Sequence, residues 1–149
     1  MVIGNAKKAG VKQFINPGVD LFSSTQAVKL AQKHPRVIFA AVGIHPYEAQ
    51  HDPDVRELEK LLSNPPSRSQ GPPGRWPKDS FQVKGIVAVG ECGLDYHQYK
   101  GEQALGKKDK QKQLFVQQLE LALKYNLPVI MHCRDAYEDF FNILDSLPR

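Results

Sequence analysis

The stretch IVAVGECGLDY, residues 86–96, decides the fold of this chain. Its opening residues are apolar without alternation, which is typical of a strand buried on both faces of a parallel sheet. Glu91 ends this apolar run, and Asp95 follows four residues later. The stretch therefore predicts a central strand that carries carboxylates to the edge of the sheet.

Three further apolar runs are each followed by a helical pattern. The runs cover residues 11–15, 37–44 and 128–131, and the helical patterns that follow the strands cover residues 23–31, 52–63, 109–125 and 135–147. Strands that alternate with helices predict βαβ units and a parallel sheet, either open and doubly wound or closed as a (β/α) barrel. No G-x-G-x-x-G motif follows any run, which removes the best indication of a nucleotide-binding open sheet.

The helix starts and the first residues complete the local assignment. Ser23 and Gln26 form a capping-box pattern, and Asp135 with Glu138 predicts the start of the last helix. Residues 1–10 are typical of the end of a helix that stops at Gly10. We therefore expect the first segment to be structural and not a signal peptide.

Composition places the chain in an ordinary class. It has 149 residues, 41% hydrophobic and 24% charged, which fits one globular domain over residues 1–149 with a hydrophobic core. Residues 63–79 hold five prolines and predict a flexible surface insertion. The net charge of +4 is compatible with a polyanionic substrate.

The cysteines and the hydropathy predict the cellular location of the protein. Cys92 and Cys133 are the only cysteines and lie inside apolar runs, which favours reduced thiols. No run approaches the roughly 20 apolar residues of a membrane span. We expect a cytoplasmic or nuclear protein with no membrane partner, and the sequence gives no indication of its oligomeric state.

Polar residues end three of the apolar runs. They are His45, Glu91 and His132. Because the carboxyl ends of parallel strands meet at one edge of a sheet, we expect these side chains to converge. Imidazole and carboxylate ligands suit Zn²⁺, Mn²⁺ or another divalent ion. Each residue alone also has a structural reading; Glu91, for example, could cap a helix or pair with Arg134.

Several motifs resemble those of the TatD family of metal-dependent deoxyribonucleases. They are GIHP at 43–46, GECGLDY at 90–96, LPVIMHCRDA at 127–136 and the Gln-x-x-x-Phe-x-x-Gln-Leu-x-Leu-Ala rhythm of 111–122. The resemblance runs from about Ala6 to Leu147, apart from the proline-rich insertion. It implies an α/β fold, a partial (β/α)8 TIM-type barrel of the amidohydrolase kind with about four strands and their helices.

The resemblance also implies roles for individual residues. Glu91 would be the catalytic residue and would bridge two divalent metal ions (Mg, Mn or Zn), and His132 would bind one of them. His45 and Arg134 would contact the substrate, and Asp95 would orient a metal ligand as a hydrogen-bond acceptor.

Part of the family's pattern is absent from these 149 residues. The His-x-His of the family's first strand would lie upstream of residue 1, and a further histidine and an aspartate would lie beyond residue 149. A barrel of this kind takes about 250 residues, so the chain is expected to supply roughly half of it. Four strands cannot close such a barrel, and we expect apolar surface at both edges.

The leading functional hypothesis is metal-dependent 3'-5' exonuclease hydrolysis of DNA, with single-stranded DNA favoured. A lysine cluster, Lys107, Lys108, Lys110 and Lys112, could contact the DNA backbone or simply be the solvated start of a helix. Two alternatives stay open. One is an amidohydrolase acting on a non-nucleic-acid ester or amide, and the other is a catalytically inactive fragment.

Overall fold

The computed structural model describes residues 2–63, 85–98 and 107–147. Five α-helices, one short 3-10 helix and four strands follow one another along these residues. The helices are α1 (Val2–Lys8), α2 (Leu21–Lys33), α3 (Val55–Ser63), α4 (Lys108–Lys124) and α5 (Tyr137–Ser146), with the 3-10 helix at Pro46–His51. The strands are β1 (Phe14–Pro17), β2 (Ile38–Val42), β3 (Ile86–Asp95) and β4 (Val129–Arg134).

The four strands form one parallel sheet in the order β1-β2-β3-β4. Doubly wound sheets reverse their strand order at a switch point, whereas barrels add each strand beside the previous one. The sequential order is therefore that of a barrel segment, and the prediction of parallel βαβ units is confirmed. The strands curl into a half-barrel, and their carboxyl ends lie along one rim.

The core lies between the sheet and its helices. One cluster joins α2, α3 and α4 to β2 and β3, with Ala27, Leu58 and Ile86 among its buried members. A second cluster packs Phe115 of α4 and Phe140 of α5 against β3. The rings of this aromatic pair are stacked with centroids 5.3 Å apart. Both clusters cover the outer face of the curled sheet, so the helices hold the strands in place from one side.

The edge strands expose apolar side chains. Ile15 of β1 is 55% exposed and Met131 of β4 is 48% exposed. These values confirm the expectation that four strands leave apolar surface at both edges.

Two predicted helix starts are wrong. The capping box of α2 is formed by Asp20 and Ser23, not by Ser23 and Gln26. Asp20 accepts a hydrogen bond from the Ser23 backbone N–H at 2.6 Å, and the Ser23 hydroxyl accepts one from the Asp20 N–H at 3.0 Å. Aspartate and serine are about equally good N-caps, and here Asp20 caps the Ser23 N–H, so the helix begins earlier. In α5 the N-cap is Ala136 without a side-chain cap, because Asp135 contacts His97 instead.

Several element boundaries also differ from the sequence prediction. The helix expected over residues 52–63 begins at Val55, and the 3-10 helix Pro46–His51 precedes it. β3 and β4 run on to Asp95 and Arg134, so Glu91 and His132 lie inside strands and not after them. The register of β3 with β4 shifts between Val89 and Cys92, and this irregularity interrupts the regular alternation of side chains along β3.

The remaining expectations about the chain concern its loops and thiols. Apart from Ser63, the predicted insertion at 63–79 lies outside the described residues. Cys92 and Cys133 are both free, as expected. No helix in residues 2–63, 85–98 or 107–147 has the length and apolar character that a membrane crossing requires.

β2 and β3 approach each other very closely at Gly43 and Gly90. A Cβ placed on Gly43 would lie 2.4 Å from the Gly90 carbonyl carbon. Backbone atoms on a buried strand cannot move away from such a contact without disturbing the sheet. Glycine is therefore required at this position.

We expect Gly43→Ala to lower the free energy of unfolding by about 1–3 kcal/mol, because the added methyl overpacks the sheet. Urea unfolding measures the change. Gly4→Ala is the matched control, since a Cβ there meets nothing within 4 Å and alanine favours the helix. Equal stability of the two variants would contradict the close approach.

Candidate metal centre

His132 of β4 lies between two carboxylates of β3. Its Nδ1 is 3.2 Å from Glu91 Oε1, and its Nε2 is 3.0 Å from Asp95 Oδ2. The side chain of His132 is 21% exposed, that of Glu91 31% and that of Asp95 12%. The parallel pairing of β3 with β4 produces this arrangement, because it sets the ends of the two strands side by side. The site is thus partly buried and open at the rim.

The hydrogen bonding of this trio fits a metal ion. A carboxylate only accepts hydrogen bonds, and a neutral imidazole has one N–H, so His132 can donate to only one of its two neighbours. Donation from Nε2 to Asp95 leaves Nδ1 as a ligand beside Glu91. Two ligand atoms about 2.1 Å from one ion at a tetrahedral angle lie about 3.4 Å apart. The 3.2 Å between His132 Nδ1 and Glu91 Oε1 matches this spacing.

His45 reaches the same place from β2. It is the N-cap of the 3-10 helix, and its ring centroid lies 4.5 Å from that of His132 in an edge-on arrangement. His45, Glu91 and His132 each offer one ligand atom, and these atoms lie within 4.8 Å of one another. The three strand-end residues expected from the sequence are therefore brought together.

The hydrogen bond of His45 bears on what it can do. Its Nδ1 accepts from the Tyr47 backbone N–H at 3.2 Å. A neutral ring that accepts at Nδ1 carries its proton at Nε2, which then donates and does not coordinate. With this hydrogen bond in place, His45 is suited to hold an anionic oxygen beside the trio.

The surroundings of His45 keep it neutral. Burial lowers its pKa, and the nearby His132 lowers it further, while Glu91 and Asp95 act in the opposite direction. The pKa lies below the ordinary value of 6.5 because the desolvation cost is the largest of these effects.

Arg134 ends β4, where its Cα is paired in register with that of Asp95. Its backbone carbonyl accepts a hydrogen bond from the Tyr96 N–H at 2.9 Å. The structure thus places Arg134 on the rim that carries the other candidate residues.

Contacts beside the site involve residues that sequence reasoning did not assign to it. The Tyr96 hydroxyl donates to Asp139 Oδ2 at 2.6 Å, and His97 Nδ1 lies 2.9 Å from Asp135 Oδ2. These pairs tie the segment after β3 to the start of α5. Sequence alone gave no signal for them, because each pair joins residues about 40 positions apart in the chain.

The four clustered lysines mostly have partners within the protein. Lys107 donates to Gln50, Lys110 pairs with Asp52 at 2.7 Å, and Lys112 pairs with Asp109 at 3.1 Å. Lys108 lies over the Tyr96 ring, 4.3 Å from its centroid. These contacts favour the structural reading of the cluster.

Comparison with known proteins identifies relatives. The sequence profile of the TatD related DNase family matches residues 1–149. A protein of Salmonella typhimurium named 3'-5' ssDNA/RNA exonuclease TatD is 32% identical over 152 residues, which cover 99% of this chain and 49% of the relative. The protein of the same name from Pantoea ananatis is 33% identical over 150 residues, with 99% and 49% covered.

Solved structures show the same relationship. The crystal structure of YJJV, a TatD homologue from Escherichia coli K12, matches with a TM-score of 0.74 and 27% identity, over 96% of this chain and 47% of that one. An uncharacterised amidohydrolase from Saccharomyces cerevisiae shares the fold, with a TM-score of 0.62 and 16% identity over 97% and 44% of the chains. The prediction of a partial TIM-type barrel is confirmed. This chain spans about half the length of the curated relatives that it matches.

We expect His45 to titrate below 6.5 in the metal-free protein, since its pKa is lowered mainly by burial. His132→Gln should raise the pKa of His45 only in part, because it removes the smaller of the two effects that lower it. NMR of the histidine rings measures both values. Titration of His45 at or above 6.5 would contradict the burial.

The same shift affects stability. The unfolded chain binds the His45 proton more readily than the native chain does, so this histidine lowers stability as the pH falls from about 6.5 through its folded pKa.

Proposed function

Because this chain belongs to the TatD-related DNase family, we propose that the carboxyl-end rim of its sheet carries active-site residues of a divalent-metal-dependent exonuclease. The proposed reaction is hydrolysis of phosphodiester bonds in single-stranded DNA from the 3' end. The observation that carries the proposal is the placement of His132 between Glu91 and Asp95 on the carboxyl-end rim. Histidine and carboxylate ligands with a carboxylate supporting the histidine are the usual constituents of a hydrolytic metal site.

Each residue of the site has a role in this proposal. Glu91 and His132 would hold a divalent ion, and Glu91 has a second oxygen with which to reach another. Asp95 Oδ2 lies 3.0 Å from His132 Nε2 and would fix the ring by accepting a hydrogen bond from it. When bound, divalent ions lower the pKa of water and stabilise charge on the leaving oxygen.

The substrate would be held by groups beside the metal ligands. The Nε2–H of His45 would donate to a phosphate oxygen, since its Nδ1 already accepts from Tyr47. Arg134 would pair with a phosphate in the two-pronged manner of guanidinium groups. Both residues lie at the rim, where an extended single strand can approach.

The substrate class rests on two kinds of support. The curated relatives are named as exonucleases of single-stranded DNA and RNA, and this chain carries a net charge of +4. A carboxylate at position 91, and not a carboxylated lysine, favours the nuclease over an amidohydrolase of other esters or amides.

A second candidate function is metal binding without catalysis. It is favoured by the share of the relatives that the chain covers, about half of their length. The site residues described here come from β2, β3 and β4 and their connections.

Digestion of labelled oligonucleotides separates the candidates. The 149-residue chain is incubated with 5'-labelled single-stranded DNA, its duplex and the equivalent RNA, in Mg²⁺ or Mn²⁺. A ladder that shortens from the 3' end of the single strand and stops with EDTA supports the exonuclease. A folded chain that takes up metal but leaves every oligonucleotide intact supports the second candidate.

Glu91→Gln should weaken Mn²⁺ binding by at least about tenfold, because the amide lacks the charge that neutralises the ion. Electron paramagnetic resonance of free Mn²⁺ measures the affinity. Glu120→Gln is the matched control, as Glu120 is exposed on α4. If both variants bound Mn²⁺ like the unmodified chain, the assigned site would be wrong.

A further inference from the structure

Three polar side chains are buried among the described residues. They are Ser24, Gln111 and Gln118, which are 0%, 4% and 0% exposed. Burying an amide or hydroxyl is costly unless its hydrogen bonds are satisfied. Each of the three side chains forms its hydrogen bonds with backbone groups of a candidate site residue or of a residue within two positions of one.

Gln118 of α4 pairs with the backbone of Ile44, the residue before His45. Its Oε1 accepts from the Ile44 N–H at 2.7 Å, and its Nε2 donates to the Ile44 carbonyl at 2.9 Å. β2 ends at Val42, so Ile44 lies beyond the strand. The side-chain amide of Gln118 thus forms with Ile44 the two backbone hydrogen bonds that a neighbouring strand would otherwise provide.

Gln111 repeats the arrangement at the end of β3. Its Oε1 accepts from the Asp95 N–H at 2.8 Å, and its Nε2 donates to the Asp95 carbonyl at 2.8 Å. Asp95 is the residue that contacts His132 Nε2. Gln111 therefore holds Asp95, and Asp95 in turn contacts the ring of His132.

The two glutamines lie on one face of one helix. Seven residues make about two helical turns and about 10 Å of length, so Gln111 and Gln118 project in nearly the same direction. Phe115 lies between them, fully buried, and fixes α4 against the sheet. α4 therefore sets the distance between the segment that carries His45 and the one that carries Asp95.

Ser24 supports the same segment from the other side. Its hydroxyl donates to the Gly43 carbonyl at 3.0 Å and accepts from the Gly43 N–H at 3.1 Å. The His45 N–H donates to the Val19 carbonyl at 2.8 Å. Residues 43–45 are thus held by specific hydrogen bonds although they lie outside the sheet.

We propose that Gln111 and Gln118 are positioning residues that set the places of Asp95 and His45 around the metal centre. The expected effect on metal binding rests on the proposed function. The geometry that it describes exists without metal, because the four amide hydrogen bonds join protein atoms only. This makes the inference testable on its own.

The experiment compares buried and exposed glutamines of the same helix. Gln111→Met and Gln118→Met keep the length of the side chain and remove both hydrogen bonds. Gln113→Met and Gln117→Met are the matched controls, because both positions are exposed on α4. Circular dichroism first establishes that each variant is folded at the assay temperature.

Two measurements follow. Ring NMR of the metal-free protein should show a shift of the His45 signals in Gln118→Met and of the His132 signals in Gln111→Met, with neither control moving them. The Mn²⁺ affinity, measured by electron paramagnetic resonance, should fall by at least about tenfold in Gln111→Met, because Asp95 contacts the ligand His132. It should stay near that of the controls in Gln118→Met, because His45 does not coordinate the ion. Mn²⁺ is chosen because it prefers carboxylate and imidazole to the free thiols.

Conservative variants keep the test usable if the methionine variants do not fold. Gln118→Glu and Gln111→Glu keep the oxygen that accepts from the backbone N–H. We expect smaller shifts of the ring signals from both, and a smaller loss of Mn²⁺ affinity from Gln111→Glu.

The outcomes separate the two proposals. Folded buried variants with unmoved ring signals and control-like Mn²⁺ affinity would overturn the positioning role and leave a purely structural one. If the unmodified chain takes up no Mn²⁺ but the ring signals shift as stated, the positioning role stands and the proposed function fails.

Discussion

The close approach of three strand backbones at the rim is the constraint on which the rest of the structure depends. A Cβ at Gly43 would meet Gly90, one at Gly90 would lie 2.5 Å from the Ile130 carbonyl oxygen, and one at Gly93 would lie 1.9 Å from the His132 carbonyl oxygen. Glycine at each point lets β2, β3 and β4 converge. The ligand atoms of the residues beside these glycines consequently lie within 4.8 Å of one another. The geometry of the candidate metal centre is thus a consequence of backbone packing.

The convergence of the strands leaves backbone groups at the rim that need hydrogen-bond partners, and the helices supply these partners. Beyond the last paired residues of a sheet, backbone N–H and carbonyl groups lose their strand partners, and buried groups of this kind must bond elsewhere. Here the partners are the side chains of Gln111, Gln118 and Ser24, supplied by α4 and α2. The helices therefore do more than cover the outer face of the sheet. They fix the segment that carries His45 and the end of the strand that carries Asp95.

The agreement between sequence and structure varies with the range of the interactions. The apolar runs predicted the four strands, and the polar residues at the ends of three of these runs predicted His45, Glu91 and His132 as neighbours. Helix starts were predicted less well, because Ser23 and Asp135 each had a competing partner, Asp20 for one and His97 for the other. The lengths of β3 and β4 were underestimated, because pairing with each other extends both strands beyond their apolar runs. β2 is shorter than the apolar run predicted for it.

The sequence by itself determined the parallel α/β architecture, its relationship to the TatD family and the residue types at the rim. These are local or periodic properties of the chain. Only the tertiary structure decided that His132 lies between Glu91 and Asp95, that Tyr47 directs the Nδ1 of His45, and that Gln118 bonds Ile44 from 74 positions away. Hydrogen bonds across such separations depend on how helices pack on the sheet, and no pattern within one segment records that packing.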